Sequence, residues 1–265
     1  MIKQLFLAWQ DPQNRRWYPI GKLTFDGENY HFVYTHGVKE AQKEPNFQLL
    51  HSFPELERVY TSLELFPLFS NRLIRSSRSD YKEYIQSLNI TENEAEPFGI
   101  LVRSGGRKAT DTLEIFPCPE LEQDGKYHIH FFVRGLQYMP KYSQEEILKL
   151  ELSERLYVLH DLQNDYDPKA LLLRTKGNYN LGYCPRYLAE EICDFLEQNP
   201  KSIYVQVERV NCAPTPIQYR VLCNMTLECP TDFSLFSSLN YQSIIENPYL
   251  SLKNSTSSLV THCYS

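Results

Sequence analysis

The 265-residue chain has no C-x-x-C pair. Its seven cysteines (Cys118, Cys184, Cys193, Cys212, Cys223, Cys229 and Cys263) are odd in number and scattered. That excludes a zinc knuckle and a fully paired disulfide framework. It predicts reduced, mostly buried thiols in a cytosolic protein. Positive charge is not in excess either. The formal net charge is −6, with 14 basic against 18 acidic residues over 1–125 and 12 against 13 over 126–230. A surface that holds a polyanion by bulk charge is therefore excluded, and any nucleic-acid contact needs a local patch. No apolar run approaches the ~20 residues of a membrane span. The opening MIKQLFLAWQDP reaches Asp11 and Arg15 too soon for a signal peptide. G-x-S-x-G, H-E-x-x-H, Walker and kinase catalytic-loop patterns are all missing. No catalytic activity, cofactor, metal or membrane partner is expected.

Aromatic residues are what the chain has in quantity. They make up 13% of it, with 19 tyrosines and 14 phenylalanines, while glycine numbers only 10. That usage leans toward β structure. The first 35 residues alternate as short antiparallel strands, with Asp26-Gly27 as a hairpin turn. Residues 47–74 carry apolar side chains at helical spacing. Ser79 is placed to cap a helix that ends near Leu88, and a second helix through EPFGILVRSG is stopped by Gly105-Gly106. TDTLEIFP (110–117) reads as a strand. The polar ELEQDGKY (120–127) is the best boundary.

Beyond it, strands are predicted at 128–136, from about Leu152, at ALLLRT (170–175), at NLGYCP (180–185), at SIYVQVERVN (202–211) and at QYRVLCNMTLEC (218–229). A helix is predicted over Arg186–Gln198, from its single apolar face. The reading is a strand-rich α+β chain of two domains, 1–119 and 126–230, with a C-terminal extension at 231–265.

Asp161, Asn164, Asp165 and Asp167 crowd beside a strand. A calcium loop would need a central glycine and a distal glutamate, which are absent. A carboxylate pair, a side-chain-bonded turn and a ligand-binding rim remain open for this segment. His128 and His130 share one strand face with no third ligand nearby, as ordinary strand histidines do. Arg103, Arg107 and Lys108, around Gly105-Gly106, form the densest basic loop. It is either a solvated loop or a contact for an anion or a partner. Arg72, Arg75 and Arg78 form another basic group, read as a charged helix end.

VRGLQY (133–138), NDYDPKALLL (164–173) and LGYCPRYLAEEI (181–192), in that order and at those intervals, resemble the HIRAN domain. The resemblance implies a small OB-like β-barrel with a helix, found joined to DNA-remodelling ATPases and alone in bacteria. It also implies binding of single-stranded DNA or a DNA 3′ end. On that likeness Asp167 would accept from the 3′-hydroxyl and Tyr138 would stack on or flank a terminal base. Lys169, Tyr183 and Arg186 would line the backbone side, with Gln137, Met139 and Tyr166 in the same surface. In the DNA-binding eukaryotic member, Gln137-Tyr138-Met139 is replaced by Arg-Tyr-Tyr. This chain thus lacks one phosphate contact and one stacking ring, each worth on the order of 1–3 kcal/mol.

IGKLTFDG (20–27), LFPLFSNRLI (65–74), DYKEYIQSLNI (80–90) and EPFGILVRSGGRKATDTLEIFP (96–117) resemble the N-terminal subdomain of HipA-type toxin kinases. The kinase core is absent. What this likeness implies is docking onto a kinase or other protein, as in a toxin–antitoxin or defence system.

Overall fold

The structure is a computed structural model, and it describes residues 3–91, 95–230 and 233–246. The chain runs β1 (Lys3–Gln10), β2 (Trp17–Phe25), β3 (Tyr30–Tyr34), α1 (Gly37–Ala41), β4 (Tyr60–Ser62), α2 (Pro67–Ser70), α3 (Tyr81–Ser87), α4 (Pro97–Ser104) and β5 (Leu113–Pro117). It continues with β6 (Tyr127–Phe132), α5 (Lys141–Glu146), β7 (Arg155–His160), β8 (Leu171–Arg174), β9 (Asn180–Tyr183), α6 (Arg186–Gln198), β10 (Ile203–Val210) and β11 (Val221–Leu227). It packs as two units. One holds the described residues of 1–73, 105–118 and those from 237; the other holds the described residues of 74–104 and 119–236.

The first unit is an antiparallel sheet in the order β4-β3-β2-β1-β5. The β2–β3 turn is held by the Asp26 carboxylate, which accepts from the Glu28 and Asn29 amides at 2.9 Å. Leu5, Phe6, Leu7 and Ala8 are buried in succession, so both faces of β1 are covered. Phe6 packs edge-on against Tyr241, so the segment after residue 236 contributes a buried side chain here. Phe53 stacks on Phe32 at 4.0 Å, and its carbonyl accepts from the Tyr34 hydroxyl at 2.7 Å.

These anchors correct the helix expected over 47–74. Only Pro67–Ser70 is helical there, and Tyr60–Ser62 is a strand. Pro54 and Pro67 interrupt the backbone ladder, and the spaced aromatics are pinned one by one into the sheet. Arg72 is likewise no solvated helix end. Its buried guanidinium donates to Asp111 at 2.6 and 3.2 Å and to the Leu68 and Gly106 carbonyls.

The second unit is a six-stranded antiparallel sheet in the order β6-β11-β10-β7-β8-β9. Leu156, Val205, Met225 and Ile129 stand opposite one another across four strands and are all buried. The sheet curls until its ends meet. Arg134, two residues past β6, exchanges two backbone bonds of 2.8 Å with Tyr183 of β9. The strand-rich α+β architecture expected from the sequence is therefore present, with this sheet curled as a half-barrel. Gly182 makes the closure sterically feasible. Its φ is +151°, and a Cβ there would lie 2.4 Å from the Arg134 carbonyl oxygen.

α6 covers this sheet with Tyr187, Leu188, Ile192, Phe195 and Leu196. Phe233 and Phe236 pack on Phe195 and Tyr187. α3 begins after Asp80 rather than under a Ser79 cap. No side chain caps it, and the Asp80 carboxylate is taken by Arg78 at 2.8 Å. α4 ends at Ser104, and Gly105 and Gly106 follow with positive φ, as their sequence suggested.

Candidate nucleic-acid interface

The loop between β7 and β8 begins at Asp161 and ends at Ala170, and side-chain bonds build most of its shape. Asp161 accepts from the Gln163 amide at 3.3 Å. Asn164 Oδ1 accepts from both the Tyr166 and Asp167 amides at 3.0 Å, and Asp167 Oδ1 accepts from the Lys169 amide at 3.0 Å. These are Asx turns in series, which explains why Asp161, Asn164 and Asp167 recur here at intervals of three. Of the alternatives open at this segment, the turn is realised. Asn164 shapes it, as do Asp161 and Asp167.

The same loop docks on one stripe of α6. Asp167 Oδ2 accepts from Arg186 Nε at 2.7 Å, and Arg186 Nη2 donates to the Tyr166 carbonyl at 2.5 Å. Two turns along, Asp194 accepts from Lys169 Nζ at 2.9 Å, which raises the lysine pKa. Between them sits Glu190. Its carboxyl is pushed up to about 7, first by burial and then by Asp167, against the pull of Arg186 and Lys169. Farther on, Glu197 meets His160 Nδ1 at 3.0 Å. Residues 186, 190, 194 and 197 fall three or four apart and so share a helix face.

Tyr183 joins this loop to the barrel seam. Its hydroxyl donates to Asp161 Oδ2 at 2.9 Å, and burial followed by that carboxylate raises its pKa. Across the seam, Gly135 has φ +74°. A Cβ on it would lie 3.3 Å from the Tyr183 ring and 3.9 Å from the Tyr138 ring. The two tyrosines therefore flank one glycine. Gly135 opens the 3-10 turn Leu136–Tyr138, and Gln144 of α5 bonds the Met139 carbonyl at 2.9 Å behind it. Tyr138 and Tyr166 are 81% and 83% exposed, which is unusual for rings of that size.

These contacts form a continuous rim: Tyr138, Gly135, Tyr183, Asp161, Asn164, Tyr166, Asp167 and Arg186. Gln137 is exposed and Met139 half-buried beside it. Lys169 belongs to the loop but turns to α6. Sequence reasoning missed Gly135 and the backbone of Arg134, whose signal was the VRG motif itself. It also missed Glu190 and Asp194, which i+4 and i+8 counting from Arg186 would have found.

The remaining candidates are placed elsewhere. Arg103 is on α4 in the second unit, within the electrostatic reach of Glu208. Arg107 and Lys108 are exposed in the first unit, with Arg107 3.8 Å from Glu114. His128 pairs with Asp124 at 2.9 Å and His130 with Glu208, which accounts for both histidines without a metal. A concavity of about 560 Å³ lined by Glu83, Tyr84, Ser87, Asn211 and Cys212 shares no residue with the rim. None of the six described cysteines forms a disulfide, and Cys263 lies outside the described residues. Among the described residues no helix is long and apolar enough to cross a membrane.

The family model of the HIRAN domain matches residues 126–229. Residues 126–229 are thus similar to a HIRAN domain. They contain the whole six-stranded sheet, α5, α6 and every residue of the rim. No curated protein matches the chain. Two solved structures resemble part of it. The crystal structure of a Lactobacillus plantarum protein is 17% identical, covers 39% of this chain and 97% of its own, and has a TM-score of 0.31. The crystal structure of the HIRAN domain of human HLTF is 18% identical, covers 40% of this chain and 81% of its own, and has a TM-score of 0.30. The HIRAN match ends at residue 126 on its N-terminal side, so the likeness of residues 5–118 to HipA-type subdomains rests on sequence motifs alone.

Proposed function

We propose that the HIRAN-like segment binds single-stranded DNA at a free 3′ end, and that the chain is a non-catalytic binding module. The observation that carries this reading is the pair of exposed rings, Tyr138 and Tyr166, on either side of a rim that also holds Tyr183, Asp167 and Arg186. Stacked bases need aromatic faces open to solvent, and the backbone needs a cation beside them. A carboxylate offers about four acceptor sites, and Asp167 uses one on the Lys169 amide and one on Arg186. It can still accept from a terminal hydroxyl. Arg186 lies alongside, where a phosphate would compete for it.

Fluorescence anisotropy with a labelled single strand tests this. A free 3′-hydroxyl is expected to bind more tightly than a 3′-phosphate or a blunt duplex. Tyr138→Ala and Tyr166→Ala should each weaken binding by about 1–3 kcal/mol, the worth of one base stack. Asp167→Asn should erase the preference for the free hydroxyl. Equal affinity for free and blocked ends, or indifference to both tyrosine variants, would sink the proposal.

A second reading follows from the motifs shared by residues 5–118 with HipA-type subdomains: the chain docks on a kinase or other protein. Recovery of a nuclease-insensitive partner, with no strand binding in the anisotropy assay, would favour it.

A further inference from the structure

The far end of the α6 stripe holds a group the DNA-binding rim does not use. His160 closes β7, and Cys193 and Glu197 stand one turn apart on α6. One ligand atom from each, a ring nitrogen of His160, Cys193 Sγ and a Glu197 oxygen, lies within 4.8 Å of the other two. The Nδ1–Oε1 separation is 3.0 Å. Cys193 is buried, His160 is mostly covered and Glu197 faces solvent.

The second nitrogen of His160 decides what this group can do. Nε2 lies 2.7 Å from the Pro168 carbonyl. A carbonyl only accepts, so Nε2 must carry the proton. Nδ1 is then left to face a carboxylate and a thiol with either a lone pair or a second proton. A ring nitrogen fixed by a backbone carbonyl, with its partner aimed at further donors, is the arrangement in which histidine ligates a metal. Two ligands at i and i+4 on a helix, with a third from a neighbouring strand end, suit a small tetrahedral ion.

We infer that His160, Cys193 and Glu197 bind one divalent zinc-type ion, with water in the fourth, solvent-facing position. The mixed nitrogen, sulfur and oxygen set selects against magnesium and calcium, which take oxygen ligands. Binding replaces the thiol proton of Cys193, and any proton on Nδ1, with bonds to the ion; the protons go to solvent. The Pro168 carbonyl that orients His160 belongs to the loop carrying Asp167. The ion would therefore fasten that loop to α6 at the end opposite Arg186.

The test uses the full reduced chain, stripped with a chelator. Competition for Zn²⁺ against a chromophoric chelator should show one equivalent. His160→Ala and Glu197→Gln should each weaken it by roughly 10- to 100-fold or more. Co²⁺ should give the visible bands of a tetrahedral site and a thiolate charge-transfer band. Cys193→Ala should abolish the latter while circular dichroism shows the chain still folded; should that variant not fold, the Glu197→Gln titration decides, since its side chain is exposed. Cys212→Ser, and His262→Ala with Cys263→Ser outside the described residues, should change nothing. No stoichiometric Zn²⁺ binding, or a site that survives His160→Ala and Glu197→Gln, would show that His160 and Glu197 are an ion pair only. Loss of the site in Cys212→Ser or in the 262/263 variant would show a different ligand set. Each of these results overturns the inference.

Discussion

Glu190 is where a single residue has the most to reveal. Asp167, Lys169, Arg186 and Glu191 surround it, and burial pushes its carboxyl from an ordinary 4.5 up to about 7. Between those values the folded chain holds a proton that the unfolded chain releases. Stability from this group is therefore present at low pH and falls as pH rises through that window. Glu190→Gln should leave stability unchanged near pH 4 and raise it at pH 8 by about 1–2 kcal/mol over the native chain. Urea melts at the two values check it; equal gains at both would refute the assignment. Asn164 can be judged at the same scale. Its Oδ1 accepts two amides that Asn164→Ala would leave without that partner. A cost of about 1 kcal/mol is expected, with weaker strand binding because Tyr166 and Asp167 lose their placement. Asn164's part in a turn was legible in the sequence, because the recurrence of Asn and Asp is local. The burial of Glu190 was not, because it depends on the loop path over the helix.

The barrel seam and α6 are the elements that organise the rim. The seam rests on one bridge, Arg134 to Tyr183, and on the absence of a side chain at Gly182. Gly182→Ala would drive a methyl group into the Arg134 carbonyl in a backbone conformation unfavourable to any Cβ. A loss of about 2–4 kcal/mol is expected, from backbone strain and the broken bridge together. Thermal melts, with hydrogen exchange at the Arg134 and Tyr183 amides, would show it; native protection at both amides would count against the seam. The strands on either side were readable from alternation, and α6 from its apolar face. The stretch over 47–74 was misread because aromatics spaced by three or four can also be anchors for separate pockets. Only the packing of Phe53 on Phe32 tells the two apart.

At the scale of the whole molecule, charge limits how the proposed contact with DNA could be made. The net charge is −6, and the cations near the rim are largely engaged: Arg186 with Asp167, Lys169 with Asp194. Single strands release counterions with a log–log slope near −0.7 per phosphate neutralised. With so few cations, the measured slope should lie between about −1 and −2, and a steeper one would place the contact elsewhere. On the proposed function, stacking would then carry most of the affinity. The sequence by itself determined the strand-rich class, the absence of bulk basic charge and the three motifs of the HIRAN-like segment. All of these are written in local patterns of side-chain chemistry. Tertiary structure alone decided that Lys169 serves α6, that Arg186 is bonded to Asp167 and that Tyr138 and Tyr183 flank Gly135. Pairings of that kind depend on which strands close the barrel and how a loop crosses a helix. They are set by packing between residues far apart in the chain.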